Sequence, residues 1–82
     1  MHQMSESGKQ MRTVGDNIRS LRNAKGMTQT ELGKKCGMAD SQVGAYERNE
    51  CVPRKRNIER IAVALGVSAK DIAKEENKNE DD

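Results

Sequence analysis

The sequence predicts an all-α domain of five short helices, and three observations carry that prediction. The 82 residues include a single aromatic, Tyr46, and no Phe or Trp, so the aromatic and β-branched runs that mark strands are missing. Apolar residues recur at spacings of three and four in several short stretches. Met27 with Leu32, Met38 with Val43 and Val67 with Ile72 each take the two positions of a hydrophobic staple around a helix start.

Each helix has its own signals. Val14, Ile18 and Leu21 predict a first helix over about residues 14–25, with Gly26 as its C-terminal stop. Thr28-x-x-Glu31 is a capping box that opens the second, and Gly37 ends it because glycine adopts the positive φ of a sharp turn without strain. The third begins at Ala39 or Asp40, turns Val43, Tyr46 and Glu47 inward, and stops near Asn49. Ala39 offers no side-chain acceptor, which costs about 1 kcal/mol relative to Ser or Thr. Asp40 recovers part of this through the helix dipole. A loop with Cys51, Val52 and Pro53 leads to a fourth helix over about 55–65, carrying Ile58, Ile61, Ala62 and Leu65 on one stripe. Gly66 ends it, and Ser68-x-x-Asp71 caps a short fifth.

Composition sets the class. A chain this small buries only about 60% of its unfolded surface, so one domain of modest stability is expected. Residues 14–74 form that domain. Residues 1–13 lack periodicity and are expected to be a flexible N-terminal segment, and residues 75–82 an acidic, disordered tail. The net charge of +2 conceals the asymmetry: 14–74 carry twelve Lys/Arg against seven Asp/Glu, whereas 75–82 carry five acids and one Lys. A basic body suits a polyanion partner.

Other classes are disfavoured. There is no apolar run of about 18 residues and no signal-peptide pattern, so no membrane partner and a cytoplasmic location are expected. Cys36, Cys51 and His2 are too few for a tetrahedral zinc site; Cys36 is expected in the core and Cys51 free in a loop. No Ser/His, Cys/His or paired-carboxylate constellation is evident. No enzyme, cofactor, metal or small-molecule substrate is expected.

The second and third helices are about eight residues each, joined by a turn of three or four. Such a pair crosses steeply, as in a helix-turn-helix, whose second helix enters a major groove while the first spans the phosphate backbone. Asp40, Ser41, Gln42, Gly44, Ala45 and Arg48 remain on the third helix's outer side. Small and hydrogen-bonding residues there, in place of long charged ones, let a helix approach base edges.

Three stretches, "IRSLRNAKGMTQTELGKKCGM", "VGAYERN" and "IERIAVALGVSAKDI", occur in order within residues 14–73. Together they resemble the phage repressor and Cro (Xre-type) family of transcriptional regulators. The resemblance implies a compact five-helix lambda-repressor-like DNA-binding domain. It implies base readout by Ser41, Gln42 and Ala45, with Gln42 pairing to adenine and the Ala45 methyl meeting a thymine methyl; Asp40, which would repel phosphate, is counted with them because a carboxylate accepts from cytosine N4. It implies phosphate contacts by Thr28, Gln29, Arg48, Asn49, Arg54, Lys55 and Arg56. Arg22 and Glu47 match a pair that joins the first helix to the third. Gly33, Gly44 and Lys55 depart from the family pattern.

The function expected is therefore a sequence-specific DNA-binding regulator, a repressor, that takes double-stranded DNA as a weak homodimer formed on the DNA itself. The alternative is a protein-interaction module of the same fold, such as an antitoxin, anti-repressor or co-activator adaptor.

Overall fold

Thr13 caps the first helix. In the computed structural model, which describes residues 13–74, its hydroxyl accepts from the Asp16 amide and its own amide donates to Asp16 Oδ2, each at 3.1 Å. Counted with the flexible N-terminal segment on sequence grounds, Thr13 instead belongs to the domain, because this box satisfies backbone donors the first turn leaves open. Residues 1–12 and the acidic stretch 75–82 lie outside the described residues.

Among the described residues there are five helices and no strand. They are α1 (Val14–Ala24), α2 (Gln29–Cys36), α3 (Asp40–Glu47), α4 (Lys55–Leu65) and α5 (Ala69–Ala73). The Thr28–Glu31 box starts α2, with Glu31 N to Thr28 Oγ1 at 3.0 Å and Thr28 N to Glu31 Oε1 at 2.8 Å. Gly37 ends α2 in the left-handed region at φ 74°, and the Met38 amide closes the turn on the Gly33 carbonyl at 2.8 Å. Ala39 stands at the N-cap of α3 without a side-chain hydrogen bond. Asn49 takes a positive φ of 61° just beyond α3. None of the described helices is long and apolar enough to cross a membrane.

Apolar faces converge on a core of Ile18, Leu32, Cys36, Val43, Tyr46, Ile61, Ala62, Leu65 and Ile72. All five helices contribute to it. Helix α3 packs on α2 and α1; α4 packs on α2 and α5; α5 also packs on α1. Burial pushes the Cys36 thiol pKa up, as suits a small core residue, while Cys51 is exposed.

Two close approaches set how α3 is held. At Gly15 a Cβ would run into the Tyr46 carbonyl, with Asn49 Oδ1 at 2.7 Å and the Glu47 carbonyl at 2.9 Å. Only a residue without a side chain lets α1 come this near the end of α3. At Gly33 a Cβ would stand 2.5 Å from the Met38 carbonyl oxygen. Its low helix propensity is thus offset by the tight turn it permits between α2 and α3.

Candidate nucleic-acid interface

Because α3 packs on α2 and α1, its other side is left open. Val43, Gly44, Tyr46 and Glu47 are buried, whereas Asp40, Ser41, Gln42 and Arg48 are exposed and Ala45 is half-buried. Gly44 is the correction here. Expected on the outer side, it lies beneath two long side chains: a Cβ there would be 3.0 Å from Arg48 Nη1 and 3.4 Å from Gln29 Oε1. Gln29 and Arg48 thus both reach over Gly44. Asp40 accepts from Thr30 Oγ1 at 3.2 Å, which draws its carboxylate toward α2. Thr28 is exposed at the start of α2, its hydroxyl already engaged in the cap.

A buried charge fixes the orientation of α3. Arg22 reaches from α1 to grip Glu47 bidentately, Nε to Oε2 at 2.6 Å and Nη2 to Oε1 at 3.0 Å. Gln29 Nε2 donates to Glu47 Oε1 at 3.0 Å, and Arg19 Nε lies 3.5 Å from the same oxygen. Arg22 Nη1 also donates to the Met27 carbonyl at 2.8 Å. Burial pushes the Glu47 pKa up, but hydrogen bonds from Arg22 and Gln29 and the Arg22 charge outweigh it, leaving it below its ordinary value of 4.5. Hydrogen bonding to Glu47 likewise raises the Arg22 pKa. Both partners stay charged, and the start of α2, the α1–α2 turn and α3 are pinned together.

The start of α4, which reaches the α3 face where Asn57 and Gln42 share the Tyr46 hydroxyl, carries a group of cations. Arg54 is the N-cap of α4, and Lys55 and Arg56 stand in its first turn; all three are exposed. No acidic residue occupies that turn, and no side chain caps it. The helix dipole disfavours cations at this end and favours an anion. Arg48 and Asn49 are exposed on the segment leading here, with Arg48 Nε paired to Glu50 Oε2 at 2.9 Å. Its hydrogen bond to Glu50 raises the Arg48 pKa and lowers that of Glu50. A surface pair of this kind is weak and screened by salt, so a phosphate can compete for Arg48.

The helix-turn-helix family pattern matches residues 18–72, spanning α1 to α5. The chain belongs to the Xre-type helix-turn-helix family. A "Neisseria hypothetical transcription factor" from Neisseria meningitidis serogroup B is 43% identical over 53 residues, covering 65% of this chain and 50% of that protein. The immunity repressor protein of Bacillus phage phi105 is 33% identical over 64 residues, covering 78% of this chain and 44% of that one. The P22 c2 repressor, solved in complex with a synthetic operator, superposes with a TM-score of 0.72 at 29% identity, covering 76% of this chain and 94% of the other. The chain thus spans about half the length of the curated relatives it matches.

For this Xre-type domain, sequence reasoning missed several supporting groups. Arg19 joins Glu47 from the exposed side of α1, and Gln29 turns its amide inward to the same carboxylate. Asn57, on α4, donates to the Tyr46 hydroxyl at 2.9 Å, and Gln42 Nε2 donates to that hydroxyl at 2.8 Å. Nothing local to Arg19 or Asn57 announces these partners. Thr13 was findable, because Thr13-x-x-Asp16 has the spacing of a capping box ahead of an apolar stripe. Lys55 is exposed at the first residue of α4 and adds to the cations there.

Proposed function

We propose that this chain is a sequence-specific regulator of transcription that reads the DNA major groove with α3. One observation carries the reading: the open, polar α3 face is joined through the Tyr46 hydroxyl, which holds Gln42 and Asn57, to the start of α4, whose first turn carries exposed cations and no acid. Asp40, Ser41, Gln42 and Ala45 contact base edges. Thr28, Gln29, Arg48, Asn49, Arg54, Lys55 and Arg56 contact phosphates, and Arg22 with Glu47 holds the docking angle. Repression is the mode in keeping with the names of the phi105 and P22 relatives. A weak homodimer assembles on a two-fold operator, its half-sites about 34 Å apart. Val52, 75% exposed in the loop after Asn49, is available for that contact. A cytoplasmic location belongs to the same reading.

Fluorescence anisotropy with random-sequence DNA over a salt series tests the first step. A slope of several units in log K against log salt is expected from the exposed cations. No binding at about 50 mM salt would favour a protein-interaction module instead. Selection from a random DNA pool then reports the operator, and Gln42→Ala relaxes one position of the selected motif.

A further inference from the structure

The Tyr46 hydroxyl links α3 to α4 at the edge of the open face. It accepts from Gln42 Nε2 at 2.8 Å and from Asn57 Nδ2 at 2.9 Å. Tyr46 is 4% exposed, so core packing fixes where its hydroxyl sits. Gln42 is exposed, and a glutamine on a helix surface ordinarily samples many rotamers that binding must then freeze out. Here the amide is anchored at the hydroxyl before any ligand arrives. One Nε2 hydrogen is committed to that bond, which leaves Oε1 and the second N–H for a base edge.

We infer that Tyr46 and Asn57 are positioning residues for base readout: Asn57 holds the Tyr46 hydroxyl, and the hydroxyl orients Gln42 so that its amide carbonyl accepts from an exocyclic amine in the major groove. Adenine N6 and cytosine N4 carry that donor, whereas guanine and thymine present acceptors at the corresponding edge. The inference rests on the DNA-reading function proposed above. It adds two residues that touch no DNA yet decide which base is preferred. The bonds also tie α3 to α4, so the test must separate specificity from stability.

Motifs are selected from a random duplex pool with the full chain as wild type, Tyr46→Phe, Asn57→Ala, Gln42→Ala and the Tyr46→Phe/Gln42→Ala double variant. Wild type is expected to prefer adenine or cytosine at one half-site position. Tyr46→Phe and Asn57→Ala should each weaken that preference by about fivefold or more, the lower end of what a base-edge contact discriminates. Affinity for random-sequence DNA should stay within about twofold, because phosphate contacts are untouched. Tyr46→Phe should add nothing in the Gln42→Ala background. In the free protein, the Gln42 side-chain amide resonances should move toward unstructured values in Tyr46→Phe, with the melting transition still cooperative. A Gln42 amide unaffected by Tyr46→Phe, or a motif identical in both single variants, overturns the relay and leaves the DNA-reading function standing. A wild type that selects no motif at all overturns both.

Discussion

Glu47 has 1% of its side chain exposed and remains charged because groups from two other helices donate to it. Its folded pKa lies below 4.5, so the stabilisation it supplies is present above that value and is lost as pH falls through the depressed folded value. The wild-type melting temperature should therefore drop as pH is lowered from about 5 toward 3, and Glu47→Gln should flatten that fall in a thermal melt. Glu47→Ala strands Arg22 and should cost about 3 kcal/mol or more at neutral pH. In a domain this small, that is a fall of at least about 12 °C; an unchanged melting temperature would remove the pair from the account. Two glycines give a sharper contrast. Gly15→Ala drives a methyl into the Tyr46 and Glu47 carbonyls and should cost about 1–3 kcal/mol. Gly44→Ala presses on the end of the Arg48 side chain, which is 54% exposed and can swing away, and meets the Gln29 amide at ordinary contact distance, so it should gain up to about 1 kcal/mol of helix propensity. Comparing the two melts checks the packing directly. The Arg22–Glu47 pair could be named from the sequence through the family resemblance. The need for Gly15 could not, because the carbonyls it faces lie more than thirty positions away.

At the scale of elements, α4 starts against the local rules. Arg54, Lys55 and Arg56 crowd a helix N-terminus whose dipole is already positive, and its first turn holds no acidic residue. Such a conflict marks a functional site more often than an error of folding. Lys55→Glu should therefore raise stability by about 0.3–1 kcal/mol while weakening DNA binding and lowering the salt slope by about one unit. Thermal melts and a salt-dependent anisotropy titration measure the two effects on one protein. A variant that gains stability without losing affinity would take Lys55 out of the interface. Helix boundaries were legible because caps are local: Thr28 with Glu31, Gly37 and Gly66 act within a few residues of themselves. Gly44 was misplaced for a complementary reason. Helical period puts it near the outer face, but Gln29 from α2 and Arg48 fold over it, and that cover is invisible in the period of α3 alone.

Across the whole molecule, Asn17 closes the helical array. Its Nδ2 donates to the carbonyls of Ile72 at 2.9 Å and Lys74 at 2.6 Å, fastening the end of α5 to α1. Asn17 is 4% exposed, so Asn17→Ala removes a buried donor and leaves those carbonyls to find others. Amide hydrogen exchange should then show α5 losing protection ahead of α2 and α3, which pack on each other. Uniform loss of protection across all five helices would mean that α5 is not a separable unit. The proposed interface on α3 and α4 lies on elements held by other contacts, so DNA affinity should change far less than α5 protection.

The all-α class, the order of five helices, their caps and most of the core follow from residues close together in the chain, where turn geometry and apolar spacing act over three to five positions. The basic character of residues 14–74 is likewise a property of composition. Which face of α3 stays open, which cations reach Glu47, and how Tyr46 comes to hold both Gln42 and Asn57 were decided only by folding. Those relations join groups on different helices, and their geometry exists only once the core has set the helices at fixed distances and angles.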